Sequence, residues 1–185
     1  MSSRAFDPNR LDVAAFALEA GELAGRWPLR SFDRVSDSAA AESPPGDADE
    51  VVWSARGERR PMRGGEHQTW LHLHADAAVA LQCQRCLAPV QVPVSVQRSF
   101  LFVHGEDAAA QVDAASEDDV LALTRALDLR ELIEDELLLA LPLVPLHGVC
   151  PEPLPVAVDD EAEERANPFA ALGSLKALKG DPPVN

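Results

Sequence analysis

Apolar and polar residues alternate with a period of two over two long stretches of this chain. From Thr69 to Cys83 the odd positions Leu71, Leu73, Ala75, Ala77, Val79, Leu81 and Cys83 are small or apolar. Trp70, His72, His74 and Asp76 stand on even positions of the same run. Successive side chains of a strand point to opposite faces, so the run predicts one long half-buried strand, or two joined near Asp76. Beyond Cys86 the alternation resumes with Val90, Val92, Val94, Val96, Phe100 and Phe102 against Gln91, Ser95, Gln97 and Ser99. Two such runs about a short turn predict an antiparallel pair. A further strand is expected over 51–58, with the Gly-containing RRPMRGG after it as a turn.

The period changes to that of a helix at Asp128. Asp128 is a natural N-cap, Glu131 follows three residues on, and Leu129, Leu132, Ile133, Leu137, Ala140 and Leu141 share one face until Pro142. A shorter amphipathic helix is expected over 11–24, with Leu11, Ala14, Ala15 and Leu18 at helical spacing and Gly21 as a stop. Residues 39–50 and the acidic, Ala-rich 104–119 read as loops. No internal repeat is present. The pattern predicts an α+β fold: an antiparallel β-sheet from roughly 50 to 103, packed by one main amphipathic helix, with acidic loops outside it. One domain would cover 1–147. Prolines 142, 145, 151, 153 and 155, followed by DDEAEER, predict a mobile, Pro-rich acidic linker over 148–166. Asn167 as cap and Pro168 at the first helical position then predict a short C-terminal helix and tail over 167–185.

Composition narrows the functional classes. No stretch approaches the ~18 consecutive apolar residues of a membrane span. The first thirty residues carry Arg4, Asp7, Arg10, Asp12, Glu19 and Glu22 where a secretory leader needs an apolar run. A cytoplasmic protein without a membrane partner is expected. The formal charge of −15 argues against a broad phosphate-binding surface. Most of that charge is concentrated: residues 104–166 hold 17 acidic and 3 basic side chains. Such a segment stays solvated and attracts basic partners.

Three cysteines, two of them close together, suit a reducing compartment and a metal or thiol role better than a disulfide framework. In Cys83-Gln84-Arg85-Cys86 both thiolates can reach one ion from a single turn, and the same spacing serves redox chemistry. A thioredoxin-like site would open a helix, whereas Pro89 and the strand from Val90 allow none. His147 and Cys150 repeat the spacing, so Cys83, Cys86, His147 and Cys150 form a candidate metal quartet and zinc the candidate cofactor. The alternative is two reduced cysteines on a turn and a third unrelated to them. His72 and His74 share a strand face with Trp70, as a metal pair or as packing. Glu131, Glu134, Asp135 and Glu136 read as a solvated helix face. There is no Gly-rich phosphate loop and no nucleophile with a recognisable base, so neither an enzyme nor a small-molecule substrate has support. Arg56, Arg59, Arg60 and Arg63 are either an RNA patch or a solvated hairpin tip. Asn167, Pro168, Phe169, Leu172, Leu175 and Lys176 form a candidate docking helix, on a partner or on the chain's own domain.

Three segments together resemble one known family: CQRCLAPV (83–90), DLRELIEDELLLALPLVPLH (128–147) with the following Cys150, and NPFAALGSLK (167–176). In content, order and spacing they are similar to the signature blocks of the YceD family in its proteobacterial form. The resemblance spans roughly residues 11–178. It implies a non-enzymatic cytoplasmic factor of ribosome biogenesis, needed for accumulation of large-subunit ribosomal RNA. Its partner would be a ribosomal protein or the precursor rRNA. Where some branches carry a second cysteine pair, this chain has His147 and Cys150.

Overall fold

The computed structural model describes residues 5–62 and 65–151. Its elements in chain order are α1 (Val13–Leu18), β1 (Glu22–Pro28), α2 (Asp33–Asp37), β2 (Glu50–Pro61), β3 (His67–Gln82), β4 (Pro89–Val103), α3 (Glu106–Asp113), β5 (Asp119–Ala122) and α4 (Leu129–Ala140). The five strands form one open sheet in the order β1-β2-β3-β4-β5. The first three pairings are antiparallel and β5 runs parallel to β4. The fold is α+β, and among the described residues no helix is long and apolar enough to cross a membrane.

The strand parity read from the sequence sets the two faces of the sheet. Leu71, Leu73, Ala75, Val79 and Leu81 of β3 lie beside Val94, Val96, Phe100 and Phe102 of β4 in the main core. β3 is a single strand, because its pairing with β4 continues unbroken through Asp76↔Ser95. Phe16 of α1, Val35 of α2, and Leu129, Ile133 and Leu137 of α4 cover this face. The other face carries Trp70, His72, His74 and Asp76. It is covered at one end by α3, where Trp70, Leu101, Ala109 and Val120 make a second, small cluster.

Helix α4 begins as its cap predicts: the Asp128 carboxylate accepts from the N–H groups of Arg130 (2.9 Å) and Glu131 (3.2 Å). Of its carboxylates Glu131 is exposed, as a solvated face requires, whereas the other three are paired. Glu134 and Asp135 hold the Arg34 guanidinium, and Glu134 also accepts from the Arg34 N–H at the start of α2. Glu136 is 9% exposed and paired with Arg98 of β4 at 2.9 Å. Ala140 is exposed.

Several local expectations are corrected. The helix expected over 11–24 ends at Leu18, because Ala20 turns left-handed (φ 46°) and the Gly21 N–H returns to the Phe16 carbonyl. The chain then enters β1, an edge strand whose alternating Leu23, Gly25 and Trp27 are only half buried. Gly57 of β2 explains how closely α1 lies on the sheet. A Cβ there would come within 2.8 Å of the Ala17 backbone. Arg59, Arg60 and Pro61 continue β2 rather than forming a turn. The acidic 104–119 segment contains α3 and leads into β5, so the sheet reaches past both ends of 50–103.

Candidate functional site

The turn between β3 and β4 brings the cysteine pair to the edge of the core. Cys83 keeps the odd parity of β3, which directs its thiol to the covered face, where it is fully buried. The Cys83 N–H donates to the Ala88 carbonyl (3.0 Å) and the Leu87 N–H to the Cys83 carbonyl (2.9 Å), folding the four residues into a knuckle. Leu87 completes it with a left-handed φ of 63°, a region costly for any residue with a Cβ.

The second half of the site comes from the chain leaving α4. Pro142 ends the helix, and residues 142–151 have no regular structure, as their prolines predict. The segment is tied to the turn by polar contacts. Gln84 N–H donates to the Pro145 carbonyl (2.9 Å), and His147 N–H points at the Cys83 sulfur (3.5 Å). His147 Nδ1 lies 3.3 Å from Cys86 Sγ, and its Nε2 lies 3.1 Å from the Pro89 carbonyl. A carbonyl only accepts, so in the neutral ring the proton sits on Nε2 and Nδ1 presents its lone pair to the cysteines. One ligand atom from each of Cys83, Cys86, His147 and Cys150 lies within 4.8 Å of the others. Cys150 belongs to the segment read as linker, yet its thiol joins the group. All three cysteines are free.

The surroundings act on the thiols in opposite directions. Burial alone would raise the Cys83 pKa, but the N–H groups of Cys86, His147 and Arg85 outweigh it and hold the thiol at about 5. The Cys150 thiol is pushed up, by burial first and then by the neighbouring Cys86 and Cys83. No helix begins at the CxxC, so the helix N-terminus that activates a thioredoxin-type thiol is not present there.

A second region, on the sheet face opposite the main core, holds the arginines. A depression of about 580 Å³ runs across β1–β4, bordered by Glu22, Ser54, Arg56, His72, His74 and Ser99. Glu58, on the same strand as Arg56, gathers the cationic groups beside it. Glu58 Oε2 accepts from Arg60 (3.2 Å) and lies 2.7 Å from His72 Nε2, with Arg56 at 3.9 Å. Arg60 also covers the Trp70 ring at 4.6 Å. Arg60 and His72 lower the Glu58 carboxyl to about 2. His72 Nδ1 contacts Ser99 Oγ (2.8 Å), while His74 contacts Asp76 (2.9 Å) and the Val96 carbonyl (2.9 Å). Both rings are thus engaged by protein on both nitrogens, which favours packing over a metal pair. Arg59 is exposed on the opposite parity from Arg56 and Arg60, so the three do not share one face. Arg63 and the set Asn167, Pro168, Phe169, Leu172, Leu175 and Lys176 lie outside the described residues.

Residues 71–176, more than half of the chain, match the family model described as large ribosomal RNA subunit accumulation protein YceD. The chain belongs to the YceD family. It is 33% identical over 104 residues to the large ribosomal RNA subunit accumulation protein YceD of Haemophilus influenzae. That match covers 53% of this chain and 60% of the relative, so the chain spans less than two thirds of the relative's length. No solved structure matches it. The YceD match begins inside β3 and takes in the cysteine turn, α4, His147 and Cys150, whereas Arg56, Arg59 and Arg60 precede it.

The acidic stretch has a position that sequence reading missed. Glu106, Asp107, Asp113, Glu117, Asp118 and Asp119 are exposed on and around α3 and β5, at the outer edge of the sheet. The absence of any Lys or Arg over 104–119 was the available signal.

Proposed function

We propose that this protein is a non-catalytic factor required for accumulation of large-subunit ribosomal RNA, acting by binding a basic ribosomal protein of that subunit. The family match over 71–176 carries this reading. Charge supports the choice of partner. Arg56 and Arg60 are committed to Glu58, which leaves them weak phosphate ligands, while six exposed carboxylates crowd the β5 edge. Such a surface steers a basic partner at low salt and loses it at high salt.

Deletion of the gene is expected to lower mature large-subunit rRNA and free large subunits relative to small ones. Unchanged subunit ratios would refute the role. The partner is tested by retaining purified large-subunit proteins on the immobilised full chain. Retention that survives RNase and falls with salt is expected. Retention abolished by RNase would transfer the binding to rRNA instead.

A further inference from the structure

We propose that Cys83, Cys86, His147 and Cys150 hold one zinc ion as a closed structural site. Three thiolates and one imidazole are the donor set that selects a borderline-soft ion over magnesium or calcium, and four protein ligands leave no open position for catalysis. A tetrahedral zinc with Zn–S bonds of ~2.3 Å and a Zn–N bond of ~2.0 Å needs ligand atoms ~3.5–3.8 Å apart. The four atoms already stand within 4.8 Å, and Cys86 Sγ and His147 Nδ1 are at 3.3 Å.

The surroundings of His147 are those of a metal ligand. Its Nε2 proton is fixed on the Pro89 carbonyl, the outer contact that selects the tautomer and aims Nδ1 at the ion. The His147 backbone N–H points at the Cys83 sulfur, a donor suited to a metal-bound thiolate. Binding is balanced by proton release: three thiols give up their protons as three Zn–S bonds form, and the neutral imidazole adds its lone pair.

Within the 143–150 segment Pro145 is buried, but the larger apolar side chains are not. Leu143 is 99% and Val149 89% exposed, and Val144 and Leu146 are exposed too. The ion supplies a crosslink between the β3–β4 turn and the chain leaving α4, across some sixty residues of sequence. This latch is independent of the rRNA role, so either can fail alone.

The test uses untagged full-length protein purified without chelator. About one zinc per chain is expected, falling at least ~10-fold in Cys83→Ser and in Cys86→Ser. Exchange of zinc for cobalt(II) is expected to give thiolate-to-cobalt charge-transfer bands and the visible bands of tetrahedral cobalt. In wild-type protein, which avoids any folding defect of the variants, the three thiols should react with a thiol reagent only after chelator is added. Substoichiometric zinc with freely reactive thiols, or a Cys83–Cys86 disulfide without metal, would overturn the site. So would zinc retained unchanged in both serine variants, the mark of an adventitious ion only.

Discussion

The sheet with its helices and the cysteine–histidine corner are held together by opposite means. In the sheet, Phe16, Leu71, Leu73, Leu129, Ile133 and Leu137 are essentially inaccessible to water, and burial of apolar surface fixes their positions. At the corner, Leu87, Leu143, Val144, Leu146 and Val149 face solvent, while sulfur, imidazole and backbone groups make the contacts. The first region needs only its own chain. The second takes its order from polar atoms that converge on one point, and breaks where those atoms are removed.

The largest expected effect comes from the first region. Ile133 of α4 is fully buried against the sheet, so Ile133→Ala should cost about 2–5 kcal/mol through lost transfer energy and a residual cavity. Denaturant unfolding should show the midpoint falling with an unchanged slope, because the core melts as one unit. A loss under ~1 kcal/mol would mean that α4 is not a full member of the core.

Gly57→Ala sharpens the same point from the backbone side. The added Cβ would meet the main chain of Ala17 and Phe16 at 2.8 Å, and backbone cannot rotate away as a side chain can. A loss of about 1–3 kcal/mol is expected as α1 is displaced from β2. Unchanged stability would show that α1 can move off the sheet freely.

The corner should respond locally. His147→Ala removes the ring between Cys86 and Pro89 and loosens the segment that supplies the Pro145 carbonyl to Gln84. Amide exchange at Gln84 should accelerate by about tenfold or more, equivalent to ~1.4 kcal/mol of local opening, while β3 amides paired with β4 keep their rates. Equal acceleration across β3 would erase the distinction between the two regions.

What was legible in the sequence follows the same division. The β3–β4 pair and α4 could be read because one face of each is buried, which imposes a period of two or 3.6 on consecutive residues. β1 was missed because its half-buried edge position asks little of Leu23, Gly25 and Trp27. β5 was missed because four residues are too few to show a period, and its parallel pairing depends on α3. Glu136 was misread because its partner, Arg98, lies on a strand 38 residues away. The four corner residues were named from spacing within each pair. Their convergence was not readable, since the contacts that join the pairs, His147 with Cys83, Cys86 and Pro89, span about sixty residues.

The smallest effect is expected on the face opposite the core, at Glu58. Its carboxyl is lowered from 4.5 to about 2, by Arg60 first and His72 second, because both favour the ionised form in the folded chain. A depressed carboxyl adds stability that is fully present above its unfolded value of 4.5 and is lost as the pH falls through about 2. Glu58→Gln should therefore leave the acid limb of the melting curve shallower between these limits, with a loss of stability that is largest near neutrality and vanishes below about pH 2. The loss is small because the carboxylate and its partners are partly solvated. The corner should not register the substitution, and Gln84 exchange should match wild type. An acid limb identical to that of the parent would show that Arg60 and His72 leave Glu58 titrating like an unfolded carboxyl, and that the arginines of this face are free for a ligand after all.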